Sequence, residues 1–314
     1  MSVMNPAAAS VPLIALKAGP FAVTLAPDVG GSIAAFTIDH RGKPRDLMRP
    51  ASATALAERE PRGMASFPMI PFCGRIAHAR FSFGGDSFEL ARNFGDSPHA
   101  IHGNAWQRAW RVASHADDKV VLALDHDPSD RAKEWPFRYA ATQTFALTPD
   151  ALTITTEVVN RDTRPMPLSF GHHPYFPIRP EARIAARVTH FWDSDATMIP
   201  TRRAAVPDAF DLAAGRALKE LNLDTCFAGW SRTAELEWPD RGLALAIEAD
   251  AAFGHFVVYT PPERTYFCAE PQSAAPDAVN LAARGNPESR LIVLAPGKAA
   301  GGRVRFAPRP ATAL

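Results

Sequence analysis

Alternation of apolar and polar positions is the dominant pattern in the chain, and it predicts β-strands. In residues 152–159 the apolar side chains of Leu152, Ile154 and Val158 fall on one face, and threonine and glutamate side chains fall on the other. A period of two is typical of a strand that buries one face. This segment is therefore predicted to be a half-buried strand, with its apolar face packed against the core and its polar face toward solvent.

The same pattern predicts a hairpin over residues 234–247, with its turn at residues 239–242, where Pro-Asp-Arg-Gly supplies turn chemistry. Further strands are predicted at Phe21–Leu25, Ser32–Ile38, Val120–Leu124, Phe256–Tyr259, Thr265–Ala269, Leu291–Leu294 and Val304–Phe306. So many short strands favour antiparallel sheets stacked as a sandwich.

Helical patterns are scarce. Residues 51–60 are rich in helix formers and are expected to form a short helix, and residues 127–135 could add one further turn. The 29 prolines are spread along the chain and disfavour long helices. We find no strand–helix alternation, nucleotide-binding glycine motif, repeat or linker, so we expect one all-β domain over residues 1–314 with one or two short helices.

Composition narrows the classes of ligand. The chain has 314 residues, of which 46% are hydrophobic, and its net charge is +1. That balance provides no basic surface for nucleic acid or an anionic membrane, and no stretch reaches the roughly 20 apolar residues of a membrane span. A small neutral ligand is the simplest partner.

The cysteines and the N-terminus indicate a reducing compartment. Cys73, Cys226 and Cys268 are an odd number, lie far apart and lack paired spacing, which favours neither disulfides nor a structural zinc site. The N-terminal segment lacks the basic and long apolar regions of a secretory signal. We therefore expect a cytoplasmic protein.

Two ionisable residues, His173 and Glu270, each precede a proline. Because proline pushes the preceding residue into an extended conformation, both side chains are expected to project from strands or strand ends. A carboxyl group in apolar surroundings has a raised pKa and imidazole titrates near neutrality, so the pair suits proton transfer in both directions. Taken singly, either residue could instead be a satisfied core group or a structural ion-pair partner.

Metal binding and thiol catalysis are weaker alternatives. His102, His172, His173 and Glu270 could supply metal ligands, but neighbouring residues on a strand point to opposite faces, so His172 and His173 cannot easily hold the same ion. None of the cysteines lies in a recognisable nucleophile motif. We expect no metal and no cofactor.

Several motifs occur in an order that resembles the aldose 1-epimerase (galactose mutarotase) family, and the resemblance spans about the whole chain. They are Arg75-Ile76, His102-Gly103, the His173-Pro174-Tyr175-Phe176 segment, Asp224, and Glu270-Pro271-Gln272 followed by Pro276-Asp277-Ala278-Val279-Asn280. The resemblance implies an antiparallel β-supersandwich. It also implies that His173 is the general acid, that Glu270 is the general base, and that Arg75, His102, Asp224 and Tyr175 contact the sugar.

The chain departs from the family pattern at three positions. Gly74 replaces a common asparagine, Asn104 replaces a common glycine, and His172 is an additional histidine. Gly74 would remove a sugar contact and Asn104 would add an amide, so these changes concern the identity of the substrate. For covering the apolar face of a sugar, we consider Trp106, Tyr175 and Phe176.

The expected reaction is cofactor-independent exchange between the α and β anomers of a free aldose, by a monomer or homodimer. A hexose-6-phosphate epimerase is an alternative that would require basic residues at the pocket mouth, with Arg62, Arg80 and Arg92 as candidates. A non-catalytic sugar-binding or regulatory protein of the same fold is another. A glycoside hydrolase using Asp224 and Glu270 is a third.

Overall fold

The computed structural model describes residues 11–310. Residues 1–10, which contain much of the N-terminal segment considered above, lie outside the described range, as do residues 311–314. Within residues 11–310, no helix has both the length and the apolar character needed to cross a bilayer.

Short strands make up most of the secondary structure. In chain order they are β1 Ile14–Ala18, β2 Phe21–Ala26, β3 Ser32–His40, β4 Lys43–Asp46, β5 Ser66–Met69, β6 Arg75–Ile76, β7 Arg80–Phe83, β8 Asp86–Glu89, β9 Ala100–Ile101, β10 Arg111–Ala116, β11 Lys119–His126, β12 Tyr139–Leu147, β13 Leu152–Asn160, β14 Met166–Leu168, β15 Gly171–Pro177, β16 Arg183–Ala186, β17 His190–Ser194, β18 Pro200–Ala205, β19 Arg216–Ala217, β20 Asp224–Ala228, β21 Thr233–Trp238, β22 Leu243–Ala249, β23 His255–Tyr259, β24 Tyr266–Gln272, β25 Ile292–Leu294 and β26 Ala299–Pro310. Each strand predicted above overlaps one of these, and the predicted hairpin is β21 and β22, with Gly242 in the left-handed region.

Helices are few and short, as predicted. The helix α1 spans Ala53–Ala57 inside the predicted segment, with Ser52 accepting a hydrogen bond from the Ala55 amide as its cap. Residues 127–135 form only consecutive turns, so the extra helical turn considered there was wrong. A second helix, α2 at Ala278–Ala283, was not predicted.

Two large antiparallel sheets form the body of the described chain. The first has 11 strands in the order β1-β2-β3-β5-β15-β24-β23-β20-β17-β18, with β4 attached to β3, and the second has nine in the order β10-β11-β12-β13-β26-β22-β21-β16-β19. Three further pairs, β6 with β9, β7 with β8 and β14 with β25, form two-stranded sheets. The predicted antiparallel sandwich is confirmed.

One apolar cluster joins the facing sides of the two sheets. Phe36, Phe176 and Phe267 contribute from the first sheet, and Phe145 and Ile154 contribute from the second. Burial of this apolar surface is the main favourable contribution to folding. The opposite face of the first sheet carries the polar residues described next, near the β6–β9 strand pair.

Candidate active site

The register of the first sheet aligns the side chains of the candidate site in two neighbouring rows. Across strands β5, β15, β24, β23 and β20, one row contains, in order, Phe67, His173, Glu270, Val257 and Cys226. The adjacent row, two residues along each strand from β15 to β20, contains Tyr175, Cys268, Tyr259 and Asp224. Because side chains alternate along a strand, all of these lie on the same face.

His172 and His173 point to opposite faces of β15, as predicted. The His172 ring lies between the two large sheets, where its Nε2 is 3.1 Å from the Thr156 hydroxyl. Burial alone lowers its pKa to about 4, so His172 is neutral near pH 7. The additional histidine is therefore a core residue that links the two sheets.

His173 and Glu270 face each other at the centre of the first row. Nε2 of His173 is 3.3 Å from Oε1 of Glu270, and their side chains are only 12% and 3% exposed. The His173 ring stacks against Phe67 and Tyr175, with centroid distances of 4.6 and 4.7 Å. The ring is thereby held in the orientation that directs Nε2 at the carboxyl group.

Removal from water disfavours the charged form of both partners. Burial, with a smaller contribution from the negative charge of Asp224, raises the pKa of Glu270 to about 8. Burial lowers the pKa of His173 to about 3. Near pH 7 the pair therefore holds one ionisable proton, and moving it from Oε1 to Nε2 converts the neutral pair into a carboxylate and an imidazolium.

Gln272 orients the other oxygen of the carboxyl group. Its amide Nε2 donates to Oε2 of Glu270 over 3.0 Å, and this bond lowers the Glu270 pKa against the effect of burial. The side-chain oxygen of Gln272 is buried without a partner among the described residues. Its position two residues after Glu270 on the same strand face was the signal available in the sequence, which we did not use.

Arg75 and Asp224 meet above the second row. Arg75 lies on β6, which pairs with β9, and its guanidinium is 3.6 Å from the carboxylate of Asp224 on β20. The two side chains are 26% and 36% exposed, so the pair is partly open to solvent. It therefore contributes a balanced pair of charges at the edge of the site.

His102 follows β9 in a tight left-handed turn. Its φ is 62°, its amide donates to the Gly74 carbonyl, and its ring lies edge-on to that of His173 at 5.2 Å. Burial is the main cause that lowers the His102 pKa well below its ordinary value, and Nδ1 is buried without a partner in residues 11–310. Asn93 holds this turn by donating to the carbonyls of Ile101 and Gly103.

Tyr175 lies beside His173 and is buried, with 5% of its surface exposed. The guanidinium of Arg49 lies 4.0 Å from the centre of the Tyr175 ring and donates to the carbonyls of Arg62 and Met64. Burial raises the Tyr175 pKa well above its ordinary value, so the phenol remains a hydrogen-bond donor.

These residues surround a cavity of about 550 Å³, the size of a small-molecule site. All six predicted site residues, Arg75, His102, His173, Tyr175, Asp224 and Glu270, line it. Of the aromatic residues considered for the sugar face, Tyr175 lines the cavity, but Trp106 and Phe176 are buried elsewhere, so those two were wrong. Phe94, Tyr259 and Tyr266 are the lining aromatic residues that were missed.

Two of the departures from the family pattern have structural causes. Asn104 lies away from the cavity, where its amide donates to Glu134 and its oxygen accepts from the Tyr139 hydroxyl, so it does not add an amide to the site. Gly74 lines the cavity with φ of 67°, and a Cβ there would lie 2.9 Å from Pro276. Pro276 therefore occupies the space that a side chain at position 74 would need.

One further donor lies next to the pair. The thiol sulfur of Cys268, a ring nitrogen of His173 and a carboxyl oxygen of Glu270 are all within 4.8 Å of one another. This set differs from the metal ligands considered from the sequence, because Cys268 takes the place of His102 and His172.

The fold is an antiparallel β-sandwich whose open face presents a buried imidazole–carboxyl pair, flanked by polar side chains in a small cavity. The aldose 1-epimerase family model matches residues 12–307, and the chain belongs to this family. The resemblance noted in the sequence is thus confirmed.

Known relatives share the whole architecture. The uncharacterized Escherichia coli K12 protein YphB is 31% identical over 279 residues, which cover 86% of this chain and 90% of that protein. A crystal structure of a candidate aldose 1-epimerase from Escherichia coli K12 has a TM-score of 0.84 and 28% identity, with 96% of this chain and 99% of that chain covered. A galactose mutarotase-like protein from Clostridium acetobutylicum has a TM-score of 0.85 at 21% identity, with 95% of each chain covered, and shows the same fold.

Proposed function

We propose that the protein is an aldose 1-epimerase that interconverts the α and β anomers of a free monosaccharide. The observation that supports this most directly is the 3.3 Å approach of His173 Nε2 to Glu270 Oε1 inside a sugar-sized cavity. Anomer exchange needs one group that accepts a proton and another that donates one, and this pair holds one proton to exchange.

In the proposed mechanism, Glu270 as carboxylate accepts the proton of the C1 hydroxyl, and His173 as imidazolium donates a proton to the ring oxygen. The C1–ring-oxygen bond breaks and leaves the open-chain aldehyde. Rotation about C1–C2 and closure with the proton transfers reversed give the other anomer. The pair gains one proton and gives up one in each half of the reaction and ends in its starting form, so no other reactant is consumed.

The charges around the cavity favour an uncharged sugar. Arg75 is paired with Asp224 at 3.6 Å, and Arg62 is paired with Glu60 at 2.7 Å. Of the three arginines considered for a phosphate group, only Arg62 lines the cavity, because Arg80 and Arg92 lie elsewhere. A phosphate would have to compete with Glu60 for Arg62, which supports the free aldose over a hexose 6-phosphate.

The test is polarimetry of freshly dissolved α-D-glucose and α-D-galactose, followed by L-arabinose, D-xylose and glucose 6-phosphate. The Glu270→Gln and His173→Asn variants should each lower turnover by about 10²- to 10⁴-fold, the usual contribution of an acid–base group. Glu248→Gln, on β22 in the other sheet and paired with Arg305, is the control for a carboxyl-to-amide change.

The results separate the proposal from its alternatives. Preference for glucose 6-phosphate would establish the phosphosugar enzyme instead. Sugar binding without acceleration would establish the non-catalytic binder, and cleavage of a glycoside dependent on both Asp224 and Glu270 would establish the hydrolase. A variant at His173 or Glu270 with the full rate would remove that residue from the mechanism.

A further inference from the structure

The site combines the sulfur, nitrogen and oxygen donors that zinc prefers. Cys268 and Glu270 lie two residues apart on one face of β24, and the register puts His173 opposite Glu270. The three donor atoms lie within 4.8 Å of one another. Thiolate, imidazole and carboxylate are each ordinary ligands of a tetrahedral zinc ion.

The donor spacing nearly matches that of a bound ion. Zinc–ligand bonds of about 2.0 to 2.3 Å at tetrahedral angles put ligand atoms roughly 3.3 to 3.6 Å apart. The His173 Nε2 to Glu270 Oε1 distance is already 3.3 Å. The sulfur of Cys268 lies within 4.8 Å of both other donors, so it would have to approach them by at most roughly 1 Å.

The fourth coordination position would face the cavity. His173 and Glu270 line it, whereas Cys268 is fully buried beneath them. Three protein ligands with one open position are the arrangement of an accessible zinc site rather than of a closed structural one. An ion could therefore enter through the cavity and keep a water molecule as its fourth ligand.

We propose that Cys268, His173 and Glu270 form a site for zinc or a similar thiophilic divalent cation, and that the ion inhibits the enzyme by occupying the acid–base pair. The inhibitory consequence rests on the proposed function, whereas binding does not. Binding releases the proton of the Cys268 thiol and the proton held by the His173–Glu270 pair, so the ion takes up the lone pairs that would otherwise exchange protons with substrate. Substrate and metal are then mutually exclusive.

The test uses the full-length protein, titrated with zinc chloride during polarimetry and with cadmium chloride in the ultraviolet. Cys268→Ala and Cys268→Ser remove the sulfur in two ways, so that a folding defect in one variant does not decide the result. Cys226→Ala is the matched control, because Cys226 also faces the cavity and lies in the same row as Glu270 but outside the donor set. Each inhibition curve is normalised to the rate of the same variant without metal.

We expect zinc to inhibit the unsubstituted protein reversibly, with recovery on addition of a chelator and competition by sugar. Both Cys268 variants should raise the half-inhibitory concentration by at least about 10- to 100-fold, and Cys226→Ala should leave it unchanged. Cadmium should give a thiolate charge-transfer band in the unsubstituted protein and in Cys226→Ala, and not in the Cys268 variants.

Equal inhibition of the Cys268 variants and the unsubstituted protein would overturn the site, as would a cadmium–thiolate band that disappears only in Cys226→Ala. Should the protein fail to accelerate mutarotation of any sugar, cadmium absorption and zinc equilibrium dialysis still test the site. Failure of the metal proposal is thus separate from failure of the proposed function.

Discussion

A single proton shared by His173 and Glu270 decides which ionic form of the site reacts. Burial opposes both the imidazolium and the carboxylate, yet a carboxylate paired with an imidazolium has the same total number of protons as the neutral pair. The fraction of molecules able to react therefore changes only when the His173–Glu270 pair gains or loses a proton. The pH dependence of the rate should report that exchange.

We predict that kcat/KM for a free aldose is level from about pH 5 to pH 7 and falls tenfold per unit above pH about 8, the pKa of Glu270. Above that pH the pair loses the proton that His173 must donate. Polarimetric rates across this range provide the measurement. A rate that keeps rising through pH 9 would mean that the ring oxygen receives its proton from another donor.

We predict that Gln272→Met moves this alkaline limb to higher pH by about one unit, because a hydrogen bond to a charged group contributes about 1.5–3 kcal/mol and one pKa unit corresponds to about 1.4 kcal/mol. The substitution removes the donor to Oε2 of Glu270 and so disfavours the carboxylate. Gln143→Met is the matched control, since Gln143 is a buried glutamine that donates to the Gly31 carbonyl. A limb that stays in place, or moves equally in the control, would refute this role of Gln272.

At the scale of elements, the turn after β9 connects backbone geometry to the site. His102 and Gly103 both have positive φ, and a Cβ on Gly103 would lie only 2.0 Å from the Ile70 carbonyl oxygen. The Ile70 carbonyl oxygen accepts a hydrogen bond from the Ala105 amide, and Asn93 donates to the Ile101 carbonyl on the other side of the turn. These hydrogen bonds fix the turn, so the oxygen cannot shift freely. The position of the His102 ring therefore depends on a backbone approach that only glycine allows.

We predict that Gly103→Ala lowers the free energy of unfolding by more than 2 kcal/mol, from about 1–2 kcal/mol of left-handed strain plus the backbone clash, and raises KM by displacing His102. Gly84→Ala is the control, because Gly84 has φ of 65° and no atom within 4 Å of a Cβ. Urea denaturation and polarimetry measure the two effects. Equal destabilisation by both substitutions would show that the contact with Ile70 is unimportant.

The sequence predicted elements where the cause is local. Alternation identified β13, which buries one face and leaves the other partly exposed, and the β21–β22 hairpin, whose alternate apolar side chains enter the core. It missed α2, a helix of six residues whose buried side chains are determined by tertiary packing. It predicted an extra helical turn over residues 127–135, where the chain forms turns and Glu134 accepts a hydrogen bond from Asn104.

At the scale of the whole molecule, buried ionisable groups tie stability to pH. Burial lowers the pKa of His172 to about 4 and the pKa values of His173 and His255 to about 3. It also lowers the pKa of His102 well below its ordinary value and raises that of Glu270 to about 8. The stability contributed by the neutral histidines is present above their unfolded pKa near 6.5 and is lost as pH falls to 4 or below. The stability contributed by protonated Glu270 is fully present below about pH 4.3 and is lost as pH rises through 8.

We predict that the free energy of unfolding is greatest near pH 6.5. Between pH 4.5 and 6.5 these buried histidines together outweigh Glu270, and each group changes stability by about 1.4 kcal/mol per pH unit. Denaturant titrations from pH 4.5 to 8.5 test this. His172→Gln should reduce the slope on the acid side and Glu270→Gln the slope on the alkaline side, whereas a maximum above pH 8 in the unsubstituted protein would contradict the signs.

We also propose that residues 1–314 are one domain, because a single apolar cluster includes side chains from both large sheets. Calorimetry should then show one cooperative unfolding transition. Two separated transitions would indicate sheets that unfold independently.

The six residues that line the cavity could be predicted from the sequence because several motifs occur in the order of the family, but their arrangement could not. Glu270 and His173 are far apart in the chain and meet only through the pairing of β15 with β24. The same long-range pairing brings Cys268 beside them and Gln272 above Glu270, and no local pattern specifies it. Trp106 and Phe176 were misassigned because their burial also depends on tertiary packing: Phe176 faces the core between the sheets, and Trp106 stacks on Phe67.

The opposite orientation of His172 and His173 limits how this protein can evolve. One inserted or deleted residue in β15 would exchange the two rings, so that His172 would enter the cavity and His173 would enter the core. Descendants of this gene can change the cavity by substitution or by altering the loops around it, but the length of β15 cannot vary. Insertions and deletions among natural variants should therefore be absent from residues 171–177 and accumulate in the exposed connections.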